Sequence, residues 1–413
     1  MEKRRVVITG VGAITPIGHT AAESWQAVRG GVCGVAPISA FDAADMKVKL
    51  AAEVKDYAPE AFLDKKEAKH MDRFTQFAVI AAREALRDAD FSAENADLDR
   101  CGVIVSSGIG GLQDTEEQHD RGRERGFDRV SPFYIPMAIC NMAAGRVAIE
   151  AGFRGMCSCP VTACAGGTYA VGDAFHYIRD RYADAMLCGG SESAVTPLAI
   201  GGFTSMKALT AAEDPNRASI PFDAERSGFV LGEGAAVLLL EELEHAKARG
   251  AKIYAEILGC ANNNDAFHIT SPRPGGEGGA LCMALALEQA GLKPEDVDYI
   301  NTHGTATHMG DAYECAAIHT VFGQHAKELL ISSTKSATGH LMGAGGITET
   351  IACIQAIREG IIPPTVNYET PDPDCDLDCV PNTARKADVR IAMNNALGFG
   401  GQNASLIVGR FEE

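Results

Sequence analysis

The stretch Cys159-Pro-Val-Thr-Ala-Cys164-Ala-Gly-Gly-Thr-Tyr-Ala170 joins a short apolar, β-branched run to a segment that predicts the start of a helix. A strand, a tight turn and a helix in this order are typical of α/β proteins. Cys164 falls in the turn, where the positive end of the helix dipole is expected to lower the pKa of its thiol. Most cysteines are small buried hydrophobic residues, so this placement makes Cys164 the candidate nucleophile.

Outward from this turn, short β-rich runs alternate with longer helical ones, which favours a layered α/β fold. A charged segment, Glu241–Arg249, predicts a helix, and a new strand begins soon after Gly250. We therefore predict two similar halves, residues 1–250 and 251–413, which indicates a duplicated core. The other predicted elements are strands at Arg5–Thr9, Cys101–Ser106, Ala183–Leu187, Gly234–Glu241, Tyr254–Leu258, Tyr299–Asn301, Leu329–Ser333, Arg390–Ala392 and Ala404–Val408, and helices at Ala22–Arg29, Phe74–Asp88 and Ala280–Ala290.

Composition argues against several classes of function. The 413 residues are 46% hydrophobic and carry a net charge of -18, a balance that suits a large core but not a general nucleic-acid or anionic-membrane binder. No apolar run approaches the ~20 residues that span a bilayer, and the N-terminus has no signal-peptide core. The 13 cysteines follow no repeated framework, which is typical of reduced thiols. We therefore expect a cytoplasmic protein without nucleic-acid or membrane partners.

Two histidines lie in Gly/Thr-rich turns that follow predicted strands. One is in Asn301-Thr-His303-Gly-Thr-Ala-Thr307 and the other is in Lys335-Ser-Ala-Thr-Gly-His340. Small neighbours leave room for a cavity beside each ring, and neutral imidazole N–H groups can stabilise the enolate that forms when a malonyl thioester loses carbon dioxide. A cysteine hydrolase needs one histidine with an orienting acid or amide. One cysteine with two such histidines therefore favours carbon–carbon bond formation on thioesters.

Further candidates surround these motifs. Lys335 follows an apolar strand, and an ammonium beside the site would stabilise anionic intermediates. Gly398-Phe399-Gly400-Gly401 precedes the last predicted strand, and its glycines permit movement, which makes Phe399 a candidate gate. The clusters Gly108–Gly111 and Gly343–Gly346 match neither the phosphate-loop nor the dinucleotide pattern, so nucleotide binding is not predicted.

Together these motifs resemble the β-ketoacyl-acyl carrier protein synthases, most closely the type called synthase II. The similarity covers essentially the whole chain, and it implies the thiolase-like fold, in which two similar halves form a duplicated five-layered α-β-α-β-α core, normally as a homodimer. The matching stretches, in chain order, are Arg4–Gly10, Ser107–Leu112, the motif of Cys164, Pro221–Gly234, the motifs of His303 and His340, and Gly398–Gly401.

The resemblance implies an acyltransferase, a 3-oxoacyl-acyl carrier protein synthase. Cys164 would take an acyl chain from acyl carrier protein, and decarboxylation of malonyl-carrier protein would supply the carbanion that attacks it in fatty acid elongation. His303 and His340 would assist decarboxylation, while the backbone amides of Cys164 and Phe399 would form the oxyanion hole. The other implied roles are a structural and catalytic lysine at Lys335, supporting acids at Asp311, Glu314 and Glu349, substrate contacts at Thr270, Thr305 and Thr307, and an acyl-pocket residue at Ile109.

Carrier proteins are acidic, so an acidic synthase needs a local basic patch to bind one. A predicted helical face carries several basic residues that would supply such a patch, and the first of them match the docking surface of the family. The docking candidates are Lys65, Lys66, Lys69, Arg73 and, at another matching position, Lys207.

No cofactor is implied beyond the phosphopantetheine arm of the carrier protein. Some relatives hold a structural monovalent cation near the positions of Glu349 and Asn395, and whether this chain does so stays open. Cys375 and Cys379 have no second Cys/His pair at zinc spacing, so no catalytic or structural zinc is predicted.

Three short stretches depart from the family pattern: Ala165-Gly166-Gly167, His308-Met309 and Asn395-Ala396-Leu397. The family usually has Ser or Thr directly after the nucleophile, Pro at the second stretch and Asn-Ser-Phe at the third. The three departures leave the Cys–His–His set intact and touch its edges, so they bear on the pocket shape and the pantetheine contacts. The role of His308 is open.

Two alternatives remain within the condensing enzymes. One is a ketosynthase of a polyketide or aryl-polyene pathway, which would differ in its starter preference. The other is a non-elongating partner subunit, although such subunits typically lack the nucleophile that Cys164 provides. A degradative thiolase is disfavoured because the C-terminal glycine motif contains no second cysteine.

Overall fold

The computed structural model describes residues 3–413, and its strands and helices alternate along the chain. The strands are β1 (Val6–Ile14), β2 (Ala36–Pro37), β3 (Leu50–Ala51), β4 (Cys101–Ser106), β5 (Cys157–Ser158), β6 (Ala185–Glu192), β7 (Gly234–Glu242), β8 (Ala255–Asn264), β9 (Tyr299–Asn301), β10 (Leu330–Ser332), β11 (Ile361–Ile362), β12 (Arg385–Lys386), β13 (Ile391–Gly398) and β14 (Gln402–Gly409). The helices are α1 (Ala21–Arg29), α2 (Lys65–Ala68), α3 (Arg73–Asp88), α4 (Leu112–Arg125), α5 (Tyr134–Ala138), α6 (Met142–Ala151), α7 (Gly166–Arg179), α8 (Pro197–Ser205), α9 (Leu243–Ala248), α10 (Glu277–Ala290), α11 (His308–Phe322), α12 (Lys335–Thr338) and α13 (Gly345–Glu359). None of the helices within residues 3–413 is both long and apolar enough to cross a membrane.

The main sheet shows the duplication directly. Its ten strands run in the order β10-β9-β13-β14-β8-β1-β7-β6-β4-β5. When the main-sheet strands of each half are numbered 1 to 5 in chain order, both halves have the spatial order 3-2-4-5-1. Neighbouring strands that correspond in the two halves are also paired in the same sense, parallel or antiparallel. Antiparallel pairing of β1 with β8 joins the halves. The predicted duplication, which periodicity alone supported weakly, is therefore present in the strand order.

The helices form three layers around the two halves of the sheet. α3 and α6 pack on the outer face of the N-terminal half, α10 and α11 pack on that of the C-terminal half, and α7 and α13 pack against each other between them. The strands are buried on both faces, which explains why they are continuous apolar runs such as Val6-Val-Ile in β1. This arrangement is the five-layered thiolase-like fold expected from the sequence.

The two central helices approach each other through glycines at their first turns. A Cβ on Gly346 would lie 2.1 Å from Oγ1 of Thr168, and a Cβ on Gly167 would lie 2.9 Å from the carbonyl oxygen of Gly343. Side chains at either position would force the helices apart. The close approach brings the turns that precede α7 and α13 together; the first contains Cys164 and the second follows His340 in the chain.

Most predicted elements lie where the pattern places them, with shifted ends. The predicted helix Glu241–Arg249 is wrong at its start, because β7 continues to Glu242 and the helix α9 covers only Leu243–Ala248. Glu241 is fully buried in the strand, where Arg249 pairs with it. The predicted boundary near Gly250 falls between α9 and β8.

Candidate active site

Cys164 lies in a single 3-10 turn, Ala163–Ala165, immediately before α7. Ala163 has a positive φ of 48°, a left-handed conformation that costs a non-glycine residue free energy and tends to mark functional turns. The helix starts close to the end of β4: a Cβ on Gly166 would lie 2.0 Å from the Ser106 hydroxyl oxygen. The strand–turn–helix context predicted from the sequence is therefore present, with the thiol at its corner.

The predicted effect on the thiol pKa is wrong in sign. Burial raises the pKa of Cys164 to about 11, against the Coulombic effect of Lys335 and backbone hydrogen bonds, which lower it. A helix dipole contributes ~1 kcal/mol, less than one pKa unit, whereas full burial can shift a pKa by several units. Desolvation therefore wins, and the thiol is protonated at neutral pH.

His303 and His340 lie at the thiol, as the sequence predicted. One ring nitrogen of each histidine and the Cys164 sulfur all lie within 4.8 Å of one another. The two rings meet edge to face, with centroids 5.4 Å apart. Burial and the nearby Lys335 ammonium lower the pKa of both imidazoles well below the usual range, so both are neutral. A neutral imidazole has one N–H donor and one nitrogen acceptor, so this pair can both accept a proton and stabilise an oxyanion.

Lys335 and Glu349 form a buried ion pair behind the histidines. Each side chain is 2% exposed. Burial raises the pKa of Glu349, and the Lys335 ammonium lowers it. The same ammonium lowers the pKa of Cys164, His303 and His340. Lys335 thus supplies the positive field at the site.

Two further acids hold the loop of His303 through its backbone. The carboxylate of Glu314 accepts hydrogen bonds of 2.8 Å from the backbone N–H groups of His303 and Gly304. Asp311 accepts from the N–H of Ala306 at 3.2 Å, and burial raises the pKa of Asp311 to about 6 and that of Glu314 to about 7. These acids position the loop without reaching the cavity that the thiol faces.

Phe399 follows β13 and approaches the nucleophile through its backbone. The backbone N–H groups of Phe399 and Cys164 lie close enough to the Cys164 sulfur to lower its pKa. Two N–H donors that converge on the attacking atom are suited to bind the oxygen of a tetrahedral intermediate. The structure thus brings together the two amides that the resemblance assigned to an oxyanion hole.

A cavity of about 260 Å³ leads to these groups. The substrate-contact candidates Thr270, Thr305 and Thr307 line it together with Phe399. Ile109 does not line this cavity; it packs against the apolar cluster that contains Cys164 and Met342. Cys164 and Met342 also line the cavity, so the cavity and the apolar cluster meet at the sulfur.

The docking candidates do not form one uniform set. Lys65, Lys66, Lys69 and Lys207 are exposed, and none forms an ion pair with another residue in the range 3–413. Arg73 instead turns inward, where it forms a bidentate ion pair with Glu233. Its guanidinium also lies over the rings of Tyr57 and Phe77. Arg73 therefore has a structural role that the helical-face argument did not foresee.

The residues around Glu349 fit a monovalent cation. Oε2 of Glu349 and the side-chain oxygens of Asn301 and Asn394 are buried without a hydrogen-bond partner. Asn301 and Asn394 are paired across β9 and β13, and Asn394 contacts α13, the helix that carries Glu349. Asn395, the residue indicated by the resemblance, is occupied: its oxygen accepts from the Ser405 hydroxyl at 2.8 Å. Uncommitted oxygens are the donors that hard cations prefer.

Two of the departures from the family pattern lie against each other. Ala165 and Ala396 are fully buried and pack in one small apolar cluster with Ala404. Both positions therefore lack the hydroxyl that the family usually has there. His308, in the remaining departure, is exposed, and its carbonyl oxygen accepts a 2.9 Å hydrogen bond from the buried Arg226.

Sequence reasoning missed one buried acid at the site. Glu192 ends β6, is fully buried, and hydrogen-bonds the loops of Ile109 and Gly343. Its signal was a single acidic residue at the end of the apolar, glycine-containing run Ala185-Met-Leu-Cys-Gly-Gly-Ser. Strand–helix patterns do not distinguish such an acid from a solvated one.

Two family models match the chain: the N-terminal domain of β-ketoacyl synthase over residues 3–246, and the C-terminal domain over residues 254–369. The chain belongs to the β-ketoacyl synthase family, as its motifs predicted. The enzymes of this family are acyltransferases of the condensing type.

Relatives extend the similarity over the full length. A 3-oxoacyl-(acyl-carrier-protein) synthase 2 of Synechocystis sp. is 50% identical over 413 residues, which are 100% of this chain and 99% of the relative. The protein of the same name from Staphylococcus aureus is 48% identical over 411 residues, again 100% of this chain and 99% of the relative.

Solved structures share the fold closely. The ishigamide ketosynthase/chain length factor superposes with a TM-score of 0.94 at 38% identity, covering 99% of this chain and 100% of that one. A β-ketoacyl synthase from Burkholderia phymatum gives a TM-score of 0.92 at 36% identity with the same coverage. A type II polyketide ketosynthase in complex with its acyl-carrier protein gives 0.92 at 34%, also with this coverage.

Proposed function

We propose that this chain is a 3-oxoacyl-acyl carrier protein synthase, which joins a malonyl unit to an acyl chain held on Cys164 and releases carbon dioxide. The observation that carries the proposal is the convergence of one thiol and two neutral imidazoles within 4.8 Å. A hydrolase would need only one of the imidazoles. Relatives of that name at about half identity over the whole length support the same activity.

In the first half-reaction, the Cys164 thiol attacks the carbonyl carbon of an acyl thioester. Because the thiol is protonated at neutral pH, a neighbouring neutral imidazole accepts its proton as the C–S bond forms. The N–H groups of Cys164 and Phe399 receive the oxyanion. Collapse of this intermediate expels the carrier-protein thiolate, which takes the proton back from the imidazolium, so that the acyl chain is left on Cys164 and both imidazoles are neutral again.

In the second half-reaction, malonyl thioester occupies the cavity beside the acylated sulfur. Neutral His303 and His340 donate hydrogen bonds to the thioester oxygen, and this stabilises the enolate that forms as the C–CO₂ bond breaks. The enolate carbon attacks the acyl carbonyl, and the Cys164 sulfur leaves. The Lys335 ammonium favours each anionic stage, and burial together with this ammonium lowers the pKa of both histidines.

The test is mass spectrometry of products after mixing the protein with a long-chain acyl-carrier protein and malonyl-carrier protein. Wild type should give a 3-oxoacyl product two carbons longer than the primer, and Cys164→Ala should give none. His303→Ala and His340→Ala should still acylate Cys164 but fail to extend it. Acylation without extension in the wild type, or extension by Cys164→Ala, contradicts the proposal. Varying the primer distinguishes fatty acid elongation from a polyketide or aryl-polyene pathway.

We propose that acyl carrier protein docks on the exposed lysines Lys65, Lys66, Lys69 and Lys207. Lys207 adjoins Met206, which lines the mouth of the cavity, and an acidic partner is complementary to lysines that have no internal ion pair. Charge reversal, Lys65→Glu with Lys69→Glu, should weaken carrier-protein binding at least tenfold at low salt, and less at high salt. Lys293→Glu, an exposed lysine in the α10–β9 connection, is the matched control. Equal weakening by both changes contradicts this docking surface.

We also propose a homodimer formed along β5. This strand pairs only with β4 and leaves a free edge at the end of the sheet. Ile135, Ile149 and Val161, which flank it, are 59%, 74% and 53% exposed. A free strand edge beside apolar side chains is a surface that proteins normally cover, and a two-fold axis would pair β5 with its copy. Light scattering should give twice the monomer mass, and Val161→Glu should reduce it.

A monovalent cation is proposed at Glu349, Asn301 and Asn394. It would fix the backbone around Lys335 and the end of β9. Replacing potassium chloride by choline chloride at equal ionic strength should lower the melting temperature if a cation is held there, and an unchanged melting temperature contradicts it. The cytoplasmic location expected from the sequence stays a prediction, to be checked by cell fractionation.

A further inference from the structure

Glu192 is a fully buried carboxylate that the condensation mechanism does not use. It has no ion pair with any residue in the described part of the chain, and four hydrogen-bond donors surround it instead. Oε1 accepts from the Ser107 hydroxyl at 3.0 Å and the Ile109 N–H at 3.2 Å. Oε2 accepts from the Gly108 N–H at 2.7 Å and the Gly343 N–H at 3.1 Å. Burial raises the pKa of Glu192 and these four donors lower it; four donors on two oxygens are satisfied best by an ionised carboxylate.

These four bonds join two separate loops. Ser107 to Ile109 follow β4, whereas Gly343 follows His340 and precedes α13. Both loops carry a side chain against the nucleophile, because Ile109 and Met342 pack in the same apolar cluster as Cys164. Glu192 is therefore the link between the two walls of the apolar region beside the sulfur.

The glycines of these loops are shaped around the carboxylate. A Cβ on Gly108 would lie 2.9 Å from Oε2 of Glu192, and a Cβ on Gly343 would lie 3.0 Å from the same atom. Side chains at either position would push the loop away from Glu192. The backbone at Gly108 and Gly343, one glycine from each cluster that the sequence singled out, therefore approaches this acid closely.

We propose that Glu192 is a positioning residue that sets which acyl chains Cys164 accepts, by holding the Ile109 and Met342 walls of the acyl pocket at a fixed separation. The proposal rests on the proposed function, because it takes the apolar region beside the sulfur as the acyl site. A longer chain touches more of both walls, so it depends more on their being held in place. A short chain reaches less of them.

The substitution Glu192→Gln keeps the length of the side chain and removes the charge. In either orientation of the glutamine side chain, its NH₂ group, which cannot accept a hydrogen bond, faces groups that donate one. Placed at Oε1 it can donate to the Ser107 hydroxyl but loses the Ile109 N–H; placed at Oε2 it loses both the Gly108 and the Gly343 N–H. Glu192→Asp keeps the charge and shortens the reach between the loops. The two variants therefore separate the effect of the charge from the effect of the side-chain length.

The measurement is acylation of Cys164 by carrier-protein thioesters of six and sixteen carbons, followed by intact-mass spectrometry. Glu192→Gln and Glu192→Asp should each lower the long-to-short ratio of acylation efficiency at least fivefold. Ser107→Ala, which removes one of the four donors and keeps the charge, should lower the ratio less. An unchanged ratio, or an equal loss for both chain lengths, overturns the proposal. Because acylation precedes condensation, the result does not depend on whether the wild type extends the chain, and failure of the proposed function shows separately as absence of 3-oxo product.

A second readout responds to the charge of Glu192 and not to the loops alone. The Glu192 charge raises the pKa of the Cys164 thiol. Alkylation of Cys164 by iodoacetamide should therefore shift to lower pH in Glu192→Gln but not in Glu192→Asp. If Glu192→Gln does not fold, the Glu192→Asp and Ser107→Ala ratios decide the proposal. The same alkylation profile in wild type and a folded Glu192→Gln contradicts an ionised carboxylate at this position.

Discussion

Replacing Lys335 by Met tests the electrostatic argument for the site most directly. Lys335 and Glu349 are each only 2% exposed, so the change leaves a buried carboxylate without its cation. Breaking such a pair costs about 3–5 kcal/mol of unfolding free energy, whereas replacing both partners by apolar side chains of similar volume is close to neutral. The double variant Lys335→Met/Glu349→Met should therefore recover most of the stability lost by the single one.

The loss should depend on pH in a defined direction. Burial raises the pKa of Glu349, and removing Lys335 removes the Coulombic effect that lowers it. The folded carboxyl then holds its proton to a higher pH than the unfolded one does, so the stability of the single variant is greatest below the unfolded pKa of about 4.3. It falls as the pH rises through the folded pKa. The deficit against wild type should thus be larger at pH 8 than at pH 5.

The assay is urea unfolding followed by circular dichroism, with the free energy taken by linear extrapolation. Condensation activity is measured alongside, and it should be lost in both variants, because the double change restores packing but not the ammonium that stabilises the anionic stages of the reaction. A single-variant deficit below about 1 kcal/mol at pH 8 would refute the reasoning, since the cost of an unpaired buried charge is larger than that. A deficit that does not vary with pH would refute the role of Glu349 in it.

Three other outcomes follow from contacts in the site. Burial raises the pKa of Cys164 to about 11, so its alkylation rate with iodoacetamide should still be rising at about pH 10, and a plateau below pH 9 contradicts this. Glu314→Gln leaves one of two backbone donors without an acceptor, at ~1–3 kcal/mol, so decarboxylation of malonyl-carrier protein should slow by roughly tenfold or more; an unchanged rate contradicts its positioning role. Gly166→Ala places a Cβ 2.0 Å from the Ser106 oxygen and should cost ~1–3 kcal/mol; adding Ser106→Gly should restore the melting temperature.

The sequence predicted the parts of the site that local context determines. A cysteine between a strand and a glycine-softened helix start, and two histidines in small-residue turns, needed no knowledge of the distant chain. The duplicated architecture was weaker in the pattern because the two halves share strand order, not periodicity. The order 3-2-4-5-1 in both halves exists only as hydrogen bonds between strands far apart in sequence.

The errors share a physical cause, which is burial that a linear pattern does not display. The helix dipole was expected to dominate the pKa of Cys164, but desolvation in the folded interior is the larger effect. Arg73 has the helical spacing of a surface residue, yet Glu233 from a distant segment draws it inward. In the sequence, Glu192 resembles any acid at the end of a strand, and only the folded structure shows that two loops bury it. The outcomes for Arg73 and Glu192 each depend on a partner more than 80 positions away in the chain.

β14 (Gln402–Gly409) is synthesised last among the strands, yet it lies between β13 and β8 near the middle of the ten-stranded sheet. While a ribosome makes the residues between β8 and β14, β8 therefore offers an open, apolar edge to the cell. At typical translation speeds this interval lasts on the order of ten seconds, long enough for nascent chains to stick to one another. A premature stop that removes β14 would leave the facing edges of β8 and β13 unpaired, and open strand edges favour aggregation; such a truncation should therefore yield an aggregate in place of a weakened catalyst.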